Sequence, residues 1–166
     1  MVEGARSAIT ISALGLLLAL AALWGWSAAT DPLPAKVDTP LCVQRSVEAG
    51  TKVFPQDVTV SVYNAGNREG LAGRTMQLLT DEGFAEGTKG NVSARVGVAQ
   101  IWTLDPESPA VQLVASRLGP DVSIERREPP DAGVAVIVGD GFDSLAEGQR
   151  SVVAESDATI CSPPVG

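Results

Sequence analysis

An uncharged stretch of 22 residues near the N-terminus constrains this chain more than any other feature. Residues 8–29, AITISALGLLLALAALWGWSAA, carry only apolar, small or hydroxyl side chains. About 20 such residues form a helix long enough to cross the hydrocarbon core of a bilayer. Trp24 and Trp26 lie near its end, and indole side chains favour the headgroup region. We therefore predict a single transmembrane helix over residues 8–29.

A cleaved signal peptide is the alternative, since the residues 27–29 (SAA) resemble a cleavage site. The length of the stretch and its terminal tryptophans favour a retained anchor. The leader 1–7 contains Glu3, Arg6 and the amino terminus, whereas Asp31 opens the other side. The positive-inside rule then predicts a cytoplasmic N-terminus and an extracytoplasmic body.

The two cysteines agree with that topology. Cys42 and Cys161 are the only cysteines, and they bracket the region that carries folding patterns. In an oxidising compartment such a pair predicts a structural disulfide. In the chain-entropy model, closing so long a loop contributes on the order of 4–5 kcal/mol.

Charge and composition exclude several functions. The formal net charge is −8, so a nucleic-acid partner is not expected, because phosphate binding needs a basic surface. The chain has no histidine, which removes Ser-His-Asp and Cys-His catalysis and the usual zinc sites. We therefore predict no metal and no other cofactor.

Hydrophobic patterning predicts an α/β fold, a small β-α-β-α-β-β domain with helices on a mixed sheet, preceded by the transmembrane helix. Strand patterns occur at 58–63, 94–104, 122–128 and 133–139. The turn-rich sequence EGTKGN is interpreted as a link. The predicted segments are a leader 1–7, an anchor 8–29, an extended linker 30–56, a domain 57–145 and a tail 146–166 tied by Cys161.

Two helix ends are well marked. Gly83 is predicted to end the first helix in a left-handed conformation, with Phe84 packed on Leu79 as in a Schellman motif. Ser108 and Pro109 mark the start of the second helix.

The loop after the first strand carries the candidate site. Its glycines, Gly66, Gly70 and Gly73, match neither the G-x-G-x-x-G nor the P-loop spacing. We interpret Gly66 as a positive-φ turn residue, and the other two as positions where the helix packs close to the sheet. A helix start with free N–H groups and nearby arginines can still bind an anion. The predicted ligand-binding residues are Asn64, Gly66, Asn67, Arg68, Gly70 and Arg74.

Two other functions stay open at this point. Asp140 and Asp143 in GDGFDSL, or Asp81 with Glu82, could act as a carboxylate pair in a small wall hydrolase. Both pairs lie at element ends, where acidic residues are usually caps or turn residues. A protein scaffold could instead use the strand edge at Arg126 and Arg127. We predict no catalytic residues.

The sequences VTVSVYNAGNREGLAGRTMQLLTDEGF and IERREPPDAGVAVIVGDGF resemble the LytR C-terminal domain of actinobacterial envelope proteins. One departure is Gly141, where the family pattern tends to have Asp, so that Asp140 or Asp143 would have to substitute for it. The matching positions are Asn64, Gly66, Gly70, Leu71, Ala72, Gly83, Phe84, Gly139 and Phe142.

The resemblance implies a stand-alone, membrane-anchored module similar to the envelope integrity proteins of mycobacteria. By analogy, such a module supports the cell envelope by binding a wall polymer or a wall-assembly protein. It supplies no catalytic residues, and it leaves the oligomeric state open.

Overall fold

The computed structural model describes residues 13–26 and 40–164 of the chain. The chain divides into two compact units, Met1–Asp38 and Thr39–Gly166.

In the first unit, residues 13–26 form a helix, α1, in which every residue is exposed. Over the described ranges, none of the helices has both the length and the apolar character needed to span a bilayer. The leader 1–7 and both ends of the predicted anchor 8–29 lie outside the described residues.

Residues 40–164 of the second unit form a mixed α/β fold of nine strands, two α-helices and one short 3-10 turn at Pro55–Asp57. The elements are β1 (Val43–Val47), β2 (Lys52–Val53), β3 (Thr59–Asn64), α2 (Leu71–Asp81), β4 (Ala85–Asn91), β5 (Ala99–Thr103), α3 (Pro109–Leu118), β6 (Val122–Arg126), β7 (Val134–Val138), β8 (Val152–Val153) and β9 (Ala158–Ser162).

The main sheet has five strands in the order β4-β3-β7-β5-β6. Strand β3 is parallel to β4 and β7, whereas β5 is parallel to β6 and antiparallel to β7. The units β3-α2-β4 and β5-α3-β6 are crossovers that run in opposite directions along the sheet. Right-handed crossovers of this kind place both helices on one face. One core cluster accordingly joins both helices with alternate residues of the central strands.

Neither α2 nor α3 lies on the opposite face of the sheet, yet the central strands are buried there too. The side chains of Tyr63, Trp102, Ala135 and Ile137 form a second cluster, which residues 92–96 cover. Every residue of β7 is buried, and its continuous apolar run is typical of a strand covered on both faces. Strand β3 alternates valine with threonine and serine, a pattern typical of a half-buried strand, but all six of its residues are buried because of this second cover.

The sequence EGTKGN forms most of the edge strand β4, so its interpretation as a link is wrong. The reason is that its glycines permit close packing. A Cβ atom at Gly87 would lie 2.6 Å from the Ser61 hydroxyl, and one at Gly90 would lie 3.1 Å from the Tyr63 ring. Within residues 57–145 the order is therefore β-α-β-β-α-β-β. The next strand begins at Ala99, and the prediction placed it at residue 94.

The described parts of the predicted linker 30–56 and tail 146–166 belong to the folded unit. Strand β1 pairs with β9, and β2 pairs with β8, both antiparallel. The predicted disulfide is confirmed: Cys42 and Cys161 are bonded, with Cα atoms 5.4 Å apart. Paired strands and one covalent bond therefore close the unit at its two ends.

The predicted helix ends are confirmed. Gly83 has φ +96°. Its N–H donates to the carbonyl of Thr80, and the N–H of Phe84 donates to the carbonyl of Leu79. These are the two hydrogen bonds of a Schellman motif. Helix α3 begins at Pro109, but the hydroxyl of Ser108, the residue before it, makes no capping bond.

Removal of the disulfide should destabilise the second unit. With Cys42→Ser and Cys161→Ser, or with a reductant, we expect the free energy of unfolding to fall by roughly 2–4 kcal/mol. The cause is the greater entropy of an unfolded chain that lacks a closed loop. Denaturant titration of the full-length protein, with and without reductant, measures the change.

The double serine variant should not respond to reductant, which makes it the matched control. Thiol labelling of the denatured, unreduced protein should find no free thiol. Two labelled cysteines would contradict the disulfide.

Candidate functional site

The loop that follows β3 is folded around the side chain of Asn64, which is 8% exposed. Its Oδ1 accepts a hydrogen bond from the N–H of Gly66 at 2.9 Å, an Asx turn. Its Nδ2 donates to the carbonyl of Arg68 at 2.9 Å. Both ends of this predicted ligand-binding side chain are therefore engaged within the loop.

The carboxylate of Asp140 binds the same loop from the end of β7. Its Oδ1 accepts from the N–H groups of Asn67 at 2.8 Å and Arg68 at 3.0 Å, and its Oδ2 accepts from Nδ2 of Asn67 at 3.3 Å. Because β3 and β7 are parallel neighbours, the residues after them meet at one end of the sheet. Asp140 thus occupies N–H groups that the sequence analysis assigned to an external anion.

The side chain of Arg68 in turn donates hydrogen bonds to the segment that contains Asp140. Its Nη1 donates to the carbonyls of Asp140 at 3.0 Å and Phe142 at 2.8 Å. The same atom forms an ion pair with Asp143 at 3.1 Å. We call this set of bonds among Asn67, Arg68 and Asp140 the Asp140–Arg68 clamp. The Nε and Nη2 groups of Arg68 have no partner among the described residues and can donate to a ligand.

Electrostatics follow from these bonds. The hydrogen bond from the Arg68 N–H is the largest cause that lowers the pKa of Asp140; desolvation opposes it, and the bonds from Asn67 reinforce it. A general acid needs a raised pKa. This geometry therefore does not favour the alternative in which Asp140 and Asp143 act as a hydrolase pair.

The three loop glycines have roles different from those predicted. Gly66 does not have a positive φ. A Cβ there would collide with the Asp140 carboxylate and lie 2.9 Å from its backbone nitrogen. Gly70 has φ +71° at the N-cap of α2. Gly73 is exposed, and a Cβ there would meet nothing within 4 Å, so close packing does not explain it.

An open groove of about 340 Å³ runs beside α2 and is largely apolar. We call it the α2 groove. Its lining includes the buried side chains of Leu71 and Phe142, with Arg68 and Arg74. The guanidinium of Arg74 has no hydrogen bond or ion pair with any described residue. Thr75 also lines the groove and is fully buried, and its hydroxyl has no hydrogen-bond partner in the described part of the chain.

The other predicted candidates are engaged elsewhere. Glu82 forms an ion pair of 2.6 Å with Arg117, which joins the ends of α2 and α3. Asp81 accepts a hydrogen bond from Gln77 within α2. Both acidic residues lie at a helix end, which agrees with the interpretation of such residues as caps or turn residues.

The arginines of the scaffold hypothesis contact their own domain. Arg126 donates from Nη1 to the carbonyl of Leu104 at 3.0 Å. The guanidinium of Arg127 lies 3.9 Å from the centre of the Trp102 ring, a cation–π contact. Across residues 13–26 and 40–164, acidic and cysteine side chains form no group of three or more that could hold a metal ion.

Sequence reasoning missed two features of this site. It did not predict that Asp140 accepts hydrogen bonds from the loop after β3. The one signal for it was the family pattern, which has an acidic residue directly before Phe142. It gave no role to Thr75, because a threonine on an apolar helix face carries no distinguishing signal.

This fold and site define the class of protein: a two-layer α/β module. Both of its helices lie on one face of the sheet, and a polar clamp lies at the end of two parallel strands. Residues 57–142 match the family described as LytR cell envelope-related transcriptional attenuator. The match covers just over half of the chain, and the chain belongs to this family. The matched residues include the whole Asp140–Arg68 clamp.

The chain is also similar to a solved structure, the soluble domain of a conserved hypothetical secreted protein from Mycobacterium marinum. The identity is 24% and the TM-score is 0.48, over 61% of this chain and 69% of that one. No curated protein gave a match.

Substitution of Gly66 should test the clamp. Gly66→Ala is expected to destabilise the protein by about 1–3 kcal/mol, because the added methyl group would displace the Asp140 carboxylate. Gly73→Ala is the matched control: it lies at an open helix position and should stabilise by about 0.5–1 kcal/mol. Denaturant titration measures both. Equal effects of the two substitutions would contradict the proposed close contact.

The clamp should also make stability depend on acid pH. The pKa of Asp140 is lowered in the folded state. The stability that the ionised carboxylate contributes is therefore present above the unfolded-state pKa of about 3.9 and is lost as the pH falls below that value. The Asp140→Asn variant should be less stable than the wild type at pH 6 and should lose less stability between about pH 4 and pH 2. Denaturation midpoints measured across this range test the prediction. Parallel curves for the two proteins would refute it.

Proposed function

We propose that this protein is a non-catalytic module, anchored in the membrane by residues 8–29, that supports the cell envelope from outside the cytoplasm. It would do so by binding a wall polymer or a wall-assembly enzyme. The observation that carries the proposal is the α2 groove, with the unpaired cation of Arg74 at its rim, in a member of an envelope-related family.

The groove has the properties of a binding site. Ligand sites are usually concave and largely apolar, with a few polar groups that fix orientation. Here Arg74 and the unpaired Nε and Nη2 groups of Arg68 supply positive charge beside the apolar residues Leu71 and Phe142. A wall component with an anionic group on a less polar body would meet both features. The clamp holds Arg68 in place before any ligand arrives.

Anchoring and topology are supported by separate observations. All residues of α1 are exposed in the first unit, and its apolar side chains would gain from burial in a bilayer. A structural disulfide is typical of an oxidising compartment outside the cytoplasm. The disulfide agrees with the orientation that the positive-inside rule predicts.

The absence of catalysis is part of the proposal. The carboxylates that could have acted as a pair, Asp140 and Asp143, are both engaged with Arg68. A scaffold without a wall ligand is the other candidate, and the following experiment distinguishes it.

The proposal is tested by co-sedimentation of the full-length protein, in detergent micelles, with wall sacculi that retain or lack their attached polysaccharides. We expect binding that depends on the polysaccharide. Arg74→Glu should weaken it about tenfold, because it reverses one exposed charge at the groove. Arg95→Glu is the matched control, since Arg95 is exposed, has no partner among the described residues, and lies outside the groove.

Equal effects of the two variants would remove the groove from the proposal. Failure to bind either sacculus preparation would favour the scaffold, and crosslinking in cells would then identify one dominant protein partner.

A further inference from the structure

A second concave site lies at the N-terminal end of α3. It is a pocket of about 220 Å³. We call it the α3 pocket. Its lining includes Trp102, Asp105, Ser108, Ala110, Val111 and Asp131. None of these residues was predicted to bind a ligand, and none lines the α2 groove.

The helix start supplies unpaired donors to this pocket. Pro109 has no N–H, and the N–H groups of Ala110 and Val111 have no acceptor among the described residues, as expected for a first helical turn. Ser108 occupies the N-cap position and is 7% exposed, yet its hydroxyl makes no capping bond and has no other partner among the described residues. The hydroxyl oxygen itself is not fully buried, so it can reach a molecule that enters the pocket and can donate to it or accept from it. Three residues that line the pocket therefore have unused hydrogen-bonding groups.

Two carboxylates supply acceptors to the same pocket. Asp131 accepts a hydrogen bond from the Tyr63 hydroxyl through Oδ2 at 2.7 Å, which leaves Oδ1 open. Burial, followed by this bond, raises the pKa of Tyr63, so the hydroxyl remains a donor. The carboxylate of Asp105 makes no hydrogen bond or ion pair with a described residue. Its backbone is fixed by Thr103, whose Oγ1 accepts from the N–H of Asp105 at 3.0 Å.

The charges of these groups select the ligand. A helix N-terminus by itself favours an anion. Two carboxylates in the same pocket repel a phosphate or a carboxylate, and they accept hydrogen bonds from hydroxyl groups instead. The ligand that satisfies both the donors and the carboxylates is neutral and carries groups that donate and accept, as sugar hydroxyls do.

The size of the pocket is consistent with this chemistry. A volume of 220 Å³ corresponds to about seven water molecules at roughly 30 Å³ each. That is room for about one sugar ring, so only one residue of a longer chain would enter.

We propose that the α3 pocket binds a single neutral sugar residue of a polysaccharide, through hydroxyl bonds to Asp105 and Asp131 and acceptor contacts to the first turn of α3. The inference rests on the proposed function in that it names a ligand class for wall binding, and it assigns that ligand to a surface separate from the α2 groove.

The experiment is a nuclear magnetic resonance titration of the full-length, ¹⁵N-labelled protein in a detergent without a sugar headgroup. The probes are neutral hexoses, pentoses and N-acetylhexosamines, as monosaccharides and disaccharides, with inorganic phosphate as the anionic comparison. We expect at least one saccharide to shift the amide signals of Ala110 and Val111 saturably. Phosphate should not shift them.

Variants assign the effect to the pocket. Asp105→Asn should weaken saccharide binding about tenfold, because it removes a charge-assisted acceptor without a change of shape. Ser108→Ala should weaken it about fivefold through loss of one hydrogen bond. Asp121→Asn, at an exposed position outside the pocket, should leave the affinity unchanged.

The proposal is overturned if no saccharide shifts these signals, if phosphate shifts them and saccharides do not, or if all three variants bind alike. Its failure is distinguishable from failure of the proposed function. Sacculus binding without saccharide shifts at α3 would contradict only the α3 site. Saccharide shifts without sacculus binding would contradict only the wall-binding function.

Discussion

The rest of the second unit depends on the burial of β7 between β3 and β5. This strand comes late in the sequence but lies at the centre of the sheet, and all of its residues are buried. Each buried Val or Ile side chain contributes about 1.5–3 kcal/mol. The two crossover units lie on either side of β7, so its insertion joins them into one sheet. The strand pairs of the chain ends and the Cys42–Cys161 bond then close around that sheet.

The position of β7 also creates the polar clamp. Because β7 is parallel to β3, Asp140 comes directly beside the loop after Asn64. The carboxylate accepts hydrogen bonds from N–H groups at the end of the loop. In turn, the guanidinium of Arg68 donates to a carbonyl in the segment after β7. A junction that could have bound an external anion is therefore largely filled by the protein itself. The charge left for a ligand lies to the side, at Arg74 and the free donors of Arg68.

The module thus offers two surfaces of different chemistry. The α2 groove combines apolar residues with positive charge, whereas the α3 pocket combines helix N–H groups with carboxylates. The first suits an anionic group on an apolar body and the second a neutral, hydroxyl-rich one. A polymer that carries both kinds of group could engage both, and the variants Arg74→Glu and Asp105→Asn separate their contributions.

The sequence by itself determined the features that depend on residues close together along the chain. The Schellman ending at Gly83, the start of α3 and the apolar run of β7 each follow from patterns of a few residues. The pairing of Cys42 with Cys161 followed because no other cysteine exists. Tertiary structure alone decided the rest. Strand β4 is polar and rich in glycine, and it forms because β3 offers it an edge. Gly66 is required by Asp140, which lies 72 residues beyond Arg68. A local pattern cannot report such contacts, because they exist only once the sheet brings distant segments together.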